Sequence, residues 1–163
     1  MKKIPSTALF LLACAGSTFA TETPEVPYPD GYRDWHHVKS MVIEDGHPLF
    51  GAFGGIHHVY ANPKAVQGYR TGTFPDGAVI VFDLLEATRA DGAVTEGARK
   101  VTGVMFKDAE KYAATGGWGF EGFEGFGGGD RGQRVVAANA ASACFACHAP
   151  HKDRDYVFSK LRD

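Results

Sequence analysis

The sequence predicts an α+β domain built on a predominantly antiparallel β-sheet with short flanking helices. Residues 78–85 read Ala-Val-Ile-Val-Phe-Asp-Leu-Leu after a Pro-Asp-Gly turn, which is typical of a buried strand. Residues 99–107 alternate in the manner of a second strand, and the Ala-Asp-Gly-Ala turn at residues 90–93 lies between the two. The two strands should be antiparallel neighbours, which excludes a wholly helical fold.

The other predicted elements are short. Asn62 followed by Pro63 is a helix start with proline at the first helical position, and Gly72 is a stop, so a helix is expected over residues 64–71. The remaining expectations are a helix over 31–39, a strand over 48–60, a helix over 108–114, a strand or hairpin over 116–132 ending in a loop at 127–129, a helix over 134–147 and a terminal helix over 154–161.

One motif near the C-terminus carries chemistry. The chain reads Cys144-Phe145-Ala146-Cys147-His148, the Cys-x-x-Cys-His attachment motif of a c-type haem. In such a motif the two thiols add across the porphyrin vinyl groups, and the adjacent imidazole ligates the iron. The sequence therefore predicts one covalent haem c, tethered through Cys144 and Cys147, with His148 as the metal ligand.

Other uses of a Cys-x-x-Cys pair fit less well. A thioredoxin-type pair follows a strand early in a βαβ unit, whereas this pair lies close to the C-terminus behind an Ala-rich segment. A zinc site needs a second pair of ligands, and the third cysteine of the chain, Cys14, lies far away in sequence. A disulfide between residues three apart closes a very short loop and stabilises little.

The N-terminus resembles an export signal. Residues 1–20 contain two lysines, an apolar run and small residues on either side of a cut after Ala20. The mature protein is then a single domain over residues 21–163 in the periplasm, a compartment in which c-type haem is attached. The alternative is a lipoprotein, in which residues 11–14 are the cleavage box and Cys14 is lipidated.

Charge and hydropathy weigh against several classes of partner. The chain carries 17 Lys and Arg residues against 19 Asp and Glu residues, and loss of the two leader lysines brings the net charge to about −4. This acidic excess is mild and dispersed, which gives no basis for binding nucleic acid. The apolar run of the leader is too short for a transmembrane helix, so no membrane insertion is expected.

Beyond the haem motif, the chain resembles the cytochrome P460 family, and within it the cytochrome c′-beta branch. The resemblance lies in residues 31–35 (Gly-Tyr-Arg-Asp-Trp), residues 53–63 (Phe-Gly-Gly-Ile-His-His-Val-Tyr-Ala-Asn-Pro), residues 72–79 and the C-terminal motif. It implies an antiparallel sheet with flanking helices, a homodimer, and a haem iron that is five-coordinate on one histidine.

The resemblance also implies which residues lie above the haem. Cytochrome c′-beta proteins have a distal pocket capped by two phenylalanines, which correspond here to Phe53 and Phe82; the alternative is that both are plain core aromatics. His57 lies where hydroxylamine-oxidising relatives have an arginine, which makes it a candidate polar group beside the haem. Those relatives also carry a lysine linked to the porphyrin, and the matching position is Phe82, while Lys64 and Lys100 fall outside it.

The function expected from such a pocket is the binding of NO or CO, for scavenging, transport or sensing. Two alternatives stay open: oxidation of hydroxylamine or NO through a Lys-haem cross-link, and electron transfer to a redox partner protein by a six-coordinate haem. Candidate sixth ligands are Met41, Met105, His36, His37, His47, His57, His58 and His151. Arg131 and Arg134 are candidates to pair with a haem propionate, although arginines of this kind are more often solvated.

Overall fold

The computed structural model describes residues 25–125 and 131–162. The predicted leader with Cys14 and the predicted loop at residues 127–129 lie outside the described residues. Six strands form one sheet in chain order, and each pairs antiparallel with the next. The predicted α+β class is confirmed.

The strands are β1 (His36–Ile43), β2 (Gly55–Ala61), β3 (Val79–Ala90), β4 (Ala93–Lys107), β5 (Trp118–Glu124) and β6 (Gln133–Arg134). The α-helices are α1 (Phe50–Phe53), α2 (Pro63–Thr71) and α3 (Ala146–His148). Short 3₁₀ segments cover Tyr32–Asp34, Ala113–Thr115, Ala137–Asn139 and Ala149–Arg154, and a π-helical turn covers Ala141–Phe145. No helix among the described residues is long and apolar enough to cross a membrane.

The predicted central hairpin is confirmed and is longer than expected. β3 and β4 pair from Val79 with Phe106 to Ala90 with Ala93. The two turn residues, Asp91 and Gly92, both have positive φ, at 51° and 75°. Two consecutive left-handed residues match the right-handed twist of the strands they join, which is why Asp-Gly favours this turn.

The predicted helix after Asn62 is also confirmed as α2. The Asn62 side chain accepts a hydrogen bond from the Ala65 N–H at 2.8 Å, and Pro63 occupies the first turn. Gly72 ends the helix with a φ of 82°. Both ends of the helix are therefore determined by local sequence.

Two predictions in the N-terminal half are wrong. The helix expected over residues 31–39 is a single 3₁₀ turn followed by β1, because tertiary pairing with β2 and burial of Val38 outweigh the local helix signal. The strand expected over residues 48–60 begins only at Gly55, since residues 50–53 form one turn of helix.

Three helices expected in the C-terminal half also need correction. Over residues 134–147 there is no continuous helix, but a succession of 3₁₀ and π-helical turns that leads into α3. Over residues 108–114, Asp108 accepts the Lys111 N–H at 3.0 Å as a cap would, but only a 3₁₀ turn follows. The terminal helix over residues 154–161 is absent; the described chain has no helix after Arg154.

The sheet has two differently covered faces. Ala61, Ile80, Phe82 and Phe120 lie on one face, which we call the site face. Its buried core includes Trp118, and the C-terminal segment packs on it. The opposite face buries a second cluster with the N-terminal segment, formed by Val26, Tyr32, Val79, Val81, Val104, Tyr112 and Phe123.

Candidate haem site

His148 is held by a backbone carbonyl. Its Nδ1 lies 2.7 Å from the Tyr156 carbonyl oxygen, and its ring contacts Phe120 at 4.9 Å and Phe158 at 4.4 Å between centroids. Burial lowers the pKa of His148, which favours the neutral imidazole. A neutral ring that donates through Nδ1 carries its lone pair on Nε2, so His148 is prepared to ligate a metal through that atom.

The carbonyl that holds His148 belongs to a strained segment fixed by Asp155. Asp155 and Tyr156 have φ values of 49° and 65°, a left-handed conformation that costs non-glycine residues free energy. One Asp155 carboxylate oxygen accepts a hydrogen bond from Lys107 Nζ at 2.7 Å, and the other accepts the Phe74 N–H at 3.0 Å. The Asp155 carbonyl oxygen accepts the Trp118 indole N–H at 2.8 Å. Asp155 is thus a positioning residue that the sequence pattern did not reveal.

The two cysteines lie on successive helical turns. Cys144 is half-buried against the site-face core in the π-helical turn, and Cys147 is exposed in α3. Neither forms a disulfide within the described part of the chain. Burial raises the pKa of the Cys144 thiol to about 11, with a smaller contribution from Glu121. Two free thiols and an imidazole whose Nε2 carries the lone pair are the groups that a c-type haem requires, the thiols for covalent attachment and the imidazole for ligation.

Phe53 and Phe82, which we call the cap pair, contact each other. Their ring centroids are 5.8 Å apart and their planes are nearly perpendicular, at 87°. Phe82 projects from the site face of β3, whereas Phe53 ends α1 and keeps 38% of its surface exposed. Two residues that are 29 positions apart in the sequence therefore form one aromatic pair, and their role as a distal cap stays a prediction.

The sheet next to Phe82 leaves room on the site face. Gly103 pairs with Phe82, and a Cβ placed on Gly103 would have its three nearest neighbours in Phe82, at 3.4 Å or more. Phe120, which supports His148, lies two strands and two residues from Phe82 on the same face, roughly 12 Å away between Cα atoms by standard sheet dimensions. His148 and the cap pair therefore lie apart on one surface, with Gly103 beside Phe82, and this arrangement fits a haem.

His57 lies beside the cap pair. It is 2% exposed, its Nε2 lies 2.5 Å from the Phe53 carbonyl oxygen, and its ring centroid is 4.5 Å from that of Phe82. Burial lowers the pKa of His57, so the ring is neutral and Nε2–H donates to the carbonyl. Nδ1 is buried and makes no hydrogen bond with the described residues.

The two lysines considered as cross-link candidates donate to backbone carbonyls. Lys100 Nζ donates to the Gly54 carbonyl at 2.8 Å, next to Phe53, whereas Lys64 Nζ donates to the Asp76 carbonyl at 2.9 Å. The Lys100 ammonium group therefore lies next to the cap pair, which its position in the sequence did not indicate.

Several other candidates are engaged elsewhere. Met41 is 51% exposed on the edge strand β1. His58 lies 2.6 Å from the Ser40 hydroxyl through Nδ1 and 2.7 Å from Glu96 through Nε2.

The two arginines considered as propionate partners form ion pairs within the protein. Arg131 pairs with Asp30 at 2.8 Å, and Arg134 pairs with Glu121 at 3.2 Å. These contacts give no support to a role as a sixth ligand or a propionate partner.

One family model matches most of the chain. The family model for cytochrome P460 matches residues 29–159, a span that includes all six strands, the cap pair and the Cys-x-x-Cys-His motif. No curated protein matches the chain.

Proposed function

The chain belongs to the cytochrome P460 family of haem-binding cytochromes, and we propose that it is an exported, mono-haem c-type cytochrome of the c′-beta kind that binds NO or CO. In this proposal Cys144 and Cys147 tether the haem, and His148 is the only protein ligand of the iron. The function of the protein is then to scavenge, carry or sense the gas in the periplasm.

The observation that carries the proposal is the contact between Phe53 and Phe82 on the sheet face that also supports His148. When bound, the haem supplies the open coordination position at which a diatomic molecule can bind. A phenyl ring has no lone pair, so the cap pair cannot ligate, but its bulk excludes water. A neutral diatomic ligand can enter if a ring moves aside, whereas azide or cyanide must also lose hydration at a cost of several kcal/mol.

His57, a polar group beside the cap pair, supports the same selectivity. A bound dioxygen is stabilised by a hydrogen-bond donor, and the N–H of His57 already donates to the Phe53 carbonyl. Its other nitrogen, Nδ1, then has only a lone pair to offer. Discrimination would therefore rest on the strength of the iron–ligand bond and on steric room, which favours NO and CO over dioxygen.

Dimerisation is part of the proposal. β1 is an edge strand, and Met41 and Val42 on it expose 51% and 46% of their surface. Exposed apolar side chains on an edge strand suit pairing with a second copy of the chain.

One alternative has a specific observation in its favour. Lys100 reaches the cap region, so a lysine cross-link to the porphyrin, with oxidation of hydroxylamine or NO, is the competing function. The two are separated by intact mass and by absorption spectra of the ferric, ferrous and NO-bound protein. We expect the mass of the mature chain plus one haem b, with a high-spin spectrum that responds to NO and CO. A further loss of hydrogens with a red-shifted ferrous Soret band would establish the enzyme, and a low-spin spectrum unresponsive to CO would overturn gas binding.

A further inference from the structure

Two consecutive backbone carbonyl groups, those of Phe53 and Gly54, accept hydrogen bonds from side chains on the sheet. We call residues 50–54 the Phe53 segment. His57 Nε2 on β2 donates to the Phe53 carbonyl at 2.5 Å, and Lys100 Nζ on β4 donates to the Gly54 carbonyl at 2.8 Å. β2 and β4 are the two neighbours of β3, which carries Phe82. We call His57 and Lys100 the carbonyl clamp, since together they fix the backbone of one cap residue to the sheet that carries the other.

Lys100 reaches this position because of a β-bulge. Leu84 pairs with Val101 and Leu85 pairs with Arg99, so Lys100 is the extra residue between them. Val101 lies opposite Leu84 on the site face, whereas Arg99 donates to Asp83 at 2.8 Å on the opposite face. A bulge releases one residue from strand alternation and re-aims its side chain, which here sends the ammonium group to the Phe53 segment.

The Phe53 segment has few other restraints. α1 is one turn long and none of its four residues is buried, and a helix of that length is not stable by itself. A cleft of about 530 Å³ opens beside it, lined in part by Phe50, Gly54 and Lys100. The segment is therefore not packed tightly from that side, and its hydrogen bonds to the sheet contribute much of its placement.

Two glycines follow Phe53 where the chain passes from α1 into β2. Gly55 has a φ of 134°, and a Cβ on it would lie 2.1 Å from the Leu85 carbonyl oxygen, so this position requires glycine. Gly54 donates its N–H to the Phe50 carbonyl at 2.7 Å. Glycines permit backbone rotation at low cost, and the clamp closes on the residues immediately before the strand.

We propose that His57 and Lys100 are positioning residues that hold Phe53 over the distal position and so set how readily a diatomic ligand enters. This inference rests on the proposed function. Loss of either hydrogen bond lets the Phe53 segment move towards the cleft, which opens the cap without removing a ring. The clamp acts through Phe53, so its effect should vanish when the Phe53 side chain is absent.

The test measures CO association with the ferrous holoprotein by flash photolysis. Lys100→Met keeps the length of the side chain and removes the donor, and Lys100 is exposed enough to accept it. Loss of a single hydrogen bond of ordinary strength should raise the rate constant for CO association by about threefold to tenfold. Lys100→Arg restores a donor and should return the rate towards that of the wild type; His57→Leu and His57→Gln form the corresponding pair.

A matched control and a second background separate positioning from general destabilisation. Lys64→Met removes an ammonium-to-carbonyl hydrogen bond of the same kind at Asp76 and should leave the rate unchanged. In a Phe53→Ala background, Lys100→Met should have no further effect. An equal increase with and without the Phe53 ring, or no increase in the wild-type background, would overturn the clamp while leaving CO binding intact. A wild-type holoprotein that does not bind CO would instead overturn the proposed function.

Discussion

Removing the Asp155 carboxylate should both destabilise the protein and loosen His148. In Asp155→Ala the Lys107 ammonium, whose side chain is 10% exposed, loses its anion, and the Phe74 N–H loses its acceptor. A nearly buried pair broken on one side costs about 2–3 kcal/mol, the lost hydrogen bond about 1 kcal/mol, and alanine at a φ of 49° about 1 kcal/mol more. The free energy of unfolding should therefore fall by about 4–5 kcal/mol.

Asp155→Asn is the graded variant, because asparagine tolerates the left-handed conformation and its amide oxygen can still accept the Phe74 N–H. It should lose about 2 kcal/mol, mainly from the ion pair. Urea unfolding of the holoprotein at pH 7 measures the loss of stability in each of the two variants. Asp153→Ala, which replaces an exposed aspartate two residues away, is the control.

Resonance Raman spectroscopy of the ferrous protein tests the connection from Asp155 to His148. The iron–histidine stretch should fall in Asp155→Ala, because the Tyr156 carbonyl that polarises the imidazole is no longer fixed. An unchanged stretch in a destabilised Asp155→Ala protein would refute the link, and equal losses of stability in the alanine and asparagine variants would refute the account of its energetics.

Phe82→Ala removes half of the cap pair and should raise the CO association rate constant by about tenfold or more, measured by flash photolysis; an unchanged rate would mean that Phe82 is only a core residue. Burial lowers the pKa of His57, so as the pH drops below about 6.5 the unfolded state takes up a proton that the folded state does not, and the free energy of unfolding should decrease. In urea titrations at several pH values this decrease should be smaller for His57→Gln, and an equal decrease in the two proteins would contradict the prediction. Gly55→Ala forces a Cβ to within 2.1 Å of the Leu85 carbonyl oxygen and should cost about 3 kcal/mol or more in thermal or urea unfolding, whereas Gly51→Ala, with open space around it, should cost little.

The parts of the fold that local sequence determines are those that the sequence predicts. The Asp91–Gly92 turn and the β3–β4 hairpin depend on backbone preferences of adjacent residues. The same is true of α2, whose first and last turns are set by Asn62 and Gly72. Each of these signals lies within the element that it specifies.

The failures arise where distant contacts decide the conformation. β1 replaces a predicted helix because it pairs with β2, and the predicted terminal helix is replaced by the left-handed pair Asp155 and Tyr156, which Lys107 and Trp118 hold in place. No local pattern marks an aspartate that will adopt positive φ under tertiary restraint.

The candidate site divides in the same way. The haem motif is a contiguous stretch and is visible in the sequence, whereas the approach of Phe53 to Phe82 was expected only from the family resemblance. The hydrogen bond from Lys100 to Gly54 depends on a bulge between Leu84 and Leu85, and strand alternation alone would have turned Lys100 to the other face.

Electron paramagnetic resonance of the ferric holoprotein at neutral pH reports how many ligands the iron has. An axial high-spin signal is expected, because in the proposed site His148 is the single protein ligand and the Phe53 and Phe82 rings, which contact each other, keep water from the opposite side. A rhombic low-spin signal, which requires a nitrogen or sulfur ligand on that side, would contradict the account.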